Sequence, residues 1–172
     1  MNELSEIKKV CGFYVSSIHL ITMILPYIRK QLDLEIEFSS FLEFNLQESV
    51  ELVLSKLTSV DESKVRVLDI NWNITNVYKY AIVEKELKNK LQDTKELNIL
   101  VTGNDKYISA ANENLDKFFV KNTKKIQRKC IKIINCYEVT QFNDNIKDIL
   151  DVHDLMINTS GLHKIEEIFE GY

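Results

Sequence analysis

CIKIINCYEVTQFNDNIKDILDVHDLMINTSG, residues Cys130–Gly161, changes its hydrophobic period twice within a single run. Its first part is apolar and rich in β-branched side chains, Ile131, Ile133 and Ile134, which predicts a strand covered on both faces. Ile146, Ile149, Leu150 and His153 then recur at three and four residues, the spacing of a helix. Leu155-Met156-Ile157 resumes as a short strand, and Ser160-Gly161 breaks it. A strand, helix, strand unit of this length places two parallel strands in one sheet and leaves their carboxyl ends as its polar edge. Glu138, Thr140, Thr159 and Ser160 are expected to converge there.

The same alternation extends upstream. Ile7 to Val15, IKKVCGFYV, predicts a first strand, and Ser16 or Ser17 is placed to cap the helix carried by Ile18, Ile21, Leu25, Ile28 and Leu32. Pro26 lies inside that helix, so a kink or a break near residue 25 is expected. Glu35 to Phe44 predicts a second strand. Asn45 with Glu48 resembles a capping box for a helix through Leu46, Val50, Val53, Leu54 and Leu57. Thr58 to Lys64 is polar and predicts a loop, and Val65 to Ile70 predicts a third strand. After the turn Asn71-Trp72-Asn73, the positions Val77, Tyr80, Ala81, Leu87 and Leu91 predict a helix whose outer face is Glu84 to Lys88. Leu97 to Val101 predicts a fourth strand, Thr102 to Asp105 a turn, and Tyr107 to Val120 a helix with Leu115, Phe118 and Phe119 inward. His163 to Phe169 predicts a closing amphipathic helix. Six alternations point to an α/β three-layer sandwich: a mostly parallel sheet of about six strands with helices on both faces, one domain spanning residues 1–172.

With 172 residues, 45% hydrophobic and 28% charged, the chain has the composition of one globular domain. Its formal charge of −4 comes from 22 basic and 26 acidic residues without a strong block of either sign, which argues against nucleic acid as the main partner. The densest basic run, Lys121, Lys124, Lys125, Arg128, Lys129 and Lys132, reads as a solvated connection. No apolar run is long enough to cross a membrane. MNELSEIKKV lacks an apolar signal core, and Cys11, Cys130 and Cys136 show no CxxC spacing. A cytoplasmic protein with reduced thiols is therefore expected.

Chemistry is sparse. A nucleotide-binding α/β protein carries a glycine-rich turn after its first strand, because only glycine lets backbone N–H groups close on phosphate. The corresponding turn is Tyr14-Val15-Ser16-Ser17, without glycine or lysine. Asp69, at the end of an apolar run, reads as a turn former in preference to a magnesium ligand. His19, His153 and His163 have no metal-type spacing, and His153 reads as a cation favoured by the end of its helix. Cys136, before Tyr137 and Glu138, reads as a packed thiol, with ligand contact or nucleophilic catalysis as rival roles. Trp72 is either a core plug or a pocket wall.

Cys11-Gly12-Phe13-Tyr14, Leu100-Val101-Thr102-Gly103, and Cys136-Tyr137 with Phe142 and His153 together resemble the MEDS domain, a sensory domain of methanogens, methylotrophs and the regulator DcmR. The resemblance spans nearly the whole chain. It implies a RecA-like core without the phosphate loop and a ligand-sensing role in bacterial or archaeal signalling, with small hydrocarbon derivatives as ligands. The chain departs from the family's pattern at Lys9, where a His stands in the family, at Asn135, where a Cys does, and at Asp154, where a Pro often does.

The expected function is thus non-catalytic: a sensory domain without cofactor or metal, binding a small, apolar ligand or a regulatory protein partner, with no nucleic acid or membrane partner and with a homodimer as one form it can take. Candidate ligand contacts are Cys11, Tyr14 and Ser16 near the first turn, Trp72, then Thr102 and Asn104. Cys136, Tyr137, Glu138, His153 and Ser160 complete them from the organising stretch. The rival readings are an enzyme acting through Cys136 or His153, and a structural subunit docking through residues 18–32 or the acidic Glu166, Glu167 and Glu170.

Overall fold

The structure is a computed structural model and describes residues 5–57, 62–139 and 146–168. Six strands, β1 (Glu6–Tyr14), β2 (Glu37–Leu42), β3 (Glu96–Gly103), β4 (Cys130–Glu138), β5 (Leu155–Asn158) and β6 (Gly161–Lys164), form one sheet in the order β2-β3-β4-β1-β5-β6. All neighbours are parallel except β5 and β6, which form an antiparallel hairpin. Helices cover both faces, giving a three-layer α/β sandwich of RecA-like arrangement.

Strand β4 shows how the sequence builds two cores at once. Side chains alternate across a strand, so Ile131 and Ile133 pack on one face while Ile134 and Cys136 pack on the other. The first face is closed by α4 (Tyr80–Leu91), α5 (Asp105–Lys121) and the short α6 (Thr123–Ile126), where Val83, Leu87, Leu115, Phe118 and Ile126 meet Ile99 and Val101 of β3. The second is closed by α1 (Ser17–Asp33), α2 (Gln47–Ser55) and α3 (Glu62–Asp69) around Leu20, Ile24, Ile28, Val50 and Trp72. Gly12 allows a close approach at the centre. A Cβ there would lie 2.7 Å from Ile157 Cγ2 and 3.2 Å from Met23 Cε.

Several expectations are corrected. Residues Glu62–Asp69 are helix α3, so Val65 to Ile70 is not a strand and Asp69 does not end one. Valine at 65 and 67 mimics alternation, yet Val65 is exposed and Val67 alone of the pair is buried. The helix is held by Arg66 Nη1, which donates to the Leu32 carbonyl at 2.5 Å, and tertiary docking outweighs the β-branched pattern. The sixth strand is instead β6, which takes His163 and Lys164 from the start of the expected closing helix; among the described residues of that stretch, Ile165–Ile168, α8, is helical. Helix α1 runs unbroken through Pro26. Pro26 and Thr22 are both exposed, so water can satisfy the carbonyl that the missing N–H leaves open. Asn45 does not cap α2: its Oδ1 accepts from Ile74 N at 2.7 Å, and Leu46 holds the cap position. Ser16 does cap α1, accepting from His19 N at 3.1 Å.

β4 and β5 are not neighbours in the sheet, because β1 lies between them. The connection through α7 (Ile146–Asp151) therefore leaves β4 in one direction, whereas β1 is followed by β2 at the far edge. The chain changes direction between β1 and β4. In open α/β sheets ligands bind at that change, near the carboxyl ends of the strands.

Candidate functional site

Between α5 and α7 the face of β4 and β1 is left open, and a groove of about 680 Å³ runs along it. Asn135 and Tyr137 of β4 and Lys9 of β1 form its floor; α5 supplies Asp105, Ser109, Asn112 and Asp116 at helical spacing, and Asp148, Ile149 and Val152 form the other wall. His153 closes its inner end.

The floor is a connected polar network. Asn112 Nδ2 donates to Asn135 Oδ1 at 2.9 Å, and Asn135 Nδ2 donates back to Asn112 Oδ1 at 3.3 Å. Asn135 Nδ2 also lies 3.0 Å from His153 Nε2, while His153 Nδ1 lies 2.6 Å from the Ile149 carbonyl. A carbonyl only accepts, so Nδ1 carries the proton and Nε2 accepts from the amide. Burial holds the His153 pKa below its ordinary value, the Ile149 carbonyl opposes this, and the Lys9 ammonium lowers it further. His153 is neutral and doubly bonded. The expectation of a cation at the helix end is corrected: the imidazole caps a carbonyl without charge. Tyr137 packs edge-on against His153 with ring centroids 5.9 Å apart and stacks on Phe13 at the same separation. Burial, and then Asp105, push the Tyr137 hydroxyl well up, so it stays a donor.

The other expected contacts are distributed elsewhere. Cys11 is fully buried beside the network, its thiol pushed up to about 12 by burial and 3.6 Å from the Leu155 carbonyl. Cys136 is fully buried on the opposite face, where burial raises its pKa strongly, so it is a packed core residue. Tyr14 is buried on that same face. Trp72 is a core plug, 1% exposed, with Nε1 donating to the Val67 carbonyl at 2.7 Å. Ser16 is spent on its cap, and in the same turn Val15 N donates to His19 Nδ1 at 3.1 Å. The turn in the phosphate-loop position thus closes on its own side chains. Thr102 is buried, and Asn104 caps α5 by accepting from Tyr107 N at 2.9 Å. Glu138 is half-buried at the end of β4. Ser160 sits in the β5–β6 turn, donating to Asn158 Oδ1 at 2.7 Å. Thr140, Phe142 and Glu170 lie outside the described residues.

Of the eleven, Tyr137 and His153 share the groove. Asn112 and the α5 carboxylates went unnoticed in the sequence, and Lys9 and Asn135 stood out there as departures from the family's pattern, not as contacts. Asn135 carried a signal, a lone amide in an apolar run, and so did the polar stripe of α5. The groove is of mixed polarity, which corrects the expected apolar pocket. Elsewhere the basic run is used structurally: Lys129 Nζ donates to the Leu91 carbonyl at 2.9 Å and to that of Thr94, and Lys121 lies over the Tyr80 ring. Among the described residues no group of three or more His, Cys, Asp or Glu is arranged to hold a metal, and no helix is long and apolar enough to cross a membrane.

No protein-family model matches the chain, and no curated protein does.

Proposed function

We propose that the chain is a non-catalytic, MEDS-like sensory domain of a prokaryotic regulatory system, binding a small molecule in the α5–α7 groove and signalling through a protein partner. The observation that carries this reading is the groove's position at the change of chain direction, over a floor whose amide and imidazole groups, Asn112, Asn135 and His153, are already bonded to one another. Such a floor orients a ligand. It offers no activated nucleophile, since Cys136 is sealed in the core and His153 has both nitrogens engaged. Two of the positions that depart from the family, Lys9 and Asn135, line the groove, and the third, Asp154, accepts from Lys9 N at 2.9 Å. A change of ligand relative to the family is consistent with that clustering.

The test is thermal unfolding against nucleotides with magnesium, divalent metals and small metabolites. A ligand of the folded state alone raises the midpoint in proportion to its occupancy. A saturable shift with a small metabolite, lost in Tyr137→Ala, is the expected result. A shift with ATP and magnesium, or none with any compound, overturns the reading.

A further inference from the structure

Lys9 is a lysine on an interior strand of the sheet, half-buried, with its side chain in the groove floor. Its ammonium acts electrostatically on His153, yet no ion pair forms between Lys9 and any described carboxylate. Another cavity, about 670 Å³ along the β2 edge, treats its cations differently. There Lys90 pairs with Glu37 at 3.5 Å and Arg66 donates to the Leu32 carbonyl. A bound anion supplies the direct partner that the Lys9 ammonium lacks among the described carboxylates.

The walls carry the opposite sign. Asp105, Glu113 and Asp116 project from α5 and Asp148 from α7, at the level where the groove meets solvent, while Ile108, Ile149 and Val152 provide apolar surface between. We infer that the groove takes a zwitterion the size of an amino acid or dipeptide, its carboxylate on Lys9 and its ammonium against the carboxylates of α5 and α7. A volume of about 680 Å³ accommodates either, and the pairing of each end is a charge-assisted contact with directional demand. The inference rests on the ligand-binding reading above and adds the ligand's class.

Calorimetric titration of the full chain with leucine, alanyl-leucine, N-acetyl-leucine, leucinamide and uncharged pentanol tests it. Binding is expected for leucine or alanyl-leucine and is expected to weaken about tenfold or more when either end is blocked. Lys9→Met, which keeps the apolar stem, should abolish the preference for a free carboxylate, and Asp105→Asn with Asp148→Asn the preference for a free amine. Circular dichroism confirms that each variant is folded. Zwitterion binding that persists unchanged in Lys9→Met overturns the inference. Binding of pentanol alone, with Tyr137 dependence, overturns the zwitterion while leaving a ligand-binding domain. Binding of none of the five overturns the zwitterion, and the broader panel above then decides the ligand-binding reading separately.

Discussion

His153 shows how a side chain's neighbours set its chemistry. In the unfolded chain it takes up a proton near its ordinary pKa of 6.5; in the fold, burial and Lys9 hold that pKa lower. As pH falls through about 6.5 the unfolded state therefore binds the proton first, and stability drops until the folded imidazole is also protonated. The wild type should lose stability between about pH 7.5 and pH 5.5, and His153→Gln should lose less over the same range. Equal losses, measured by urea unfolding at each pH, would show that His153 is not the group responsible. The Ile149 carbonyl and the acidic Asp154 moderate the effect without reversing it. Trp72 makes a different kind of residue-scale argument. It is almost wholly buried and its indole N–H is satisfied, so Trp72→Ala removes packing and one of the two hydrogen bonds that the Val67 carbonyl accepts. A cost of about 3–5 kcal/mol is expected from denaturant unfolding, and a cost below about 1 kcal/mol would place Trp72 in a pocket wall instead.

At the scale of the element, α1 tolerates a proline that the helix itself disfavours. It does so because its inner stripe, Leu20, Ile21, Ile24, Leu25 and Ile28, is buried while Pro26 faces out. Pro26→Ala restores a backbone donor at an exposed position and should raise stability by about 1–3 kcal/mol. A loss on that substitution would mean that the fold depends on the proline's geometry. Helix α3 shows the reverse case, in which local pattern yields to context. Its Val65, Val67 and Leu68 carry strand preference, but docking against the end of α1 through Arg66 selects helix. The β5–β6 hairpin was unreadable for a related reason. Gly161-Leu162-His163-Lys164 has no strand signature of its own and becomes a strand only by pairing with Leu155–Asn158.

For the whole molecule, β4 is the shared wall of two cores, giving Ile131 and Ile133 to one and Ile134 and Cys136 to the other. Neither layer can lose its packing without exposing the strand that supports its partner. Unfolding followed by the fluorescence of Trp72, the sole tryptophan and a reporter of the α1 side, should coincide with unfolding followed by far-ultraviolet circular dichroism. Separated midpoints would mean that the α4–α5 layer melts independently. Element order was legible from residue spacing: five of the six strands, the helices α1, α2, α4 and α5, and the cap at Ser16 all follow from period and local hydrogen-bonding chemistry. Spacing along one strand says nothing about which strand lies beside it. The insertion of β1 between β4 and β5 belongs to the three-dimensional arrangement, because it depends on pairings between residues more than a hundred positions apart. That insertion opens the groove. It brings Lys9 beside His153, while alternation along β4 turns Cys136 into the opposite core, away from Asn135 and Tyr137, its neighbours in sequence.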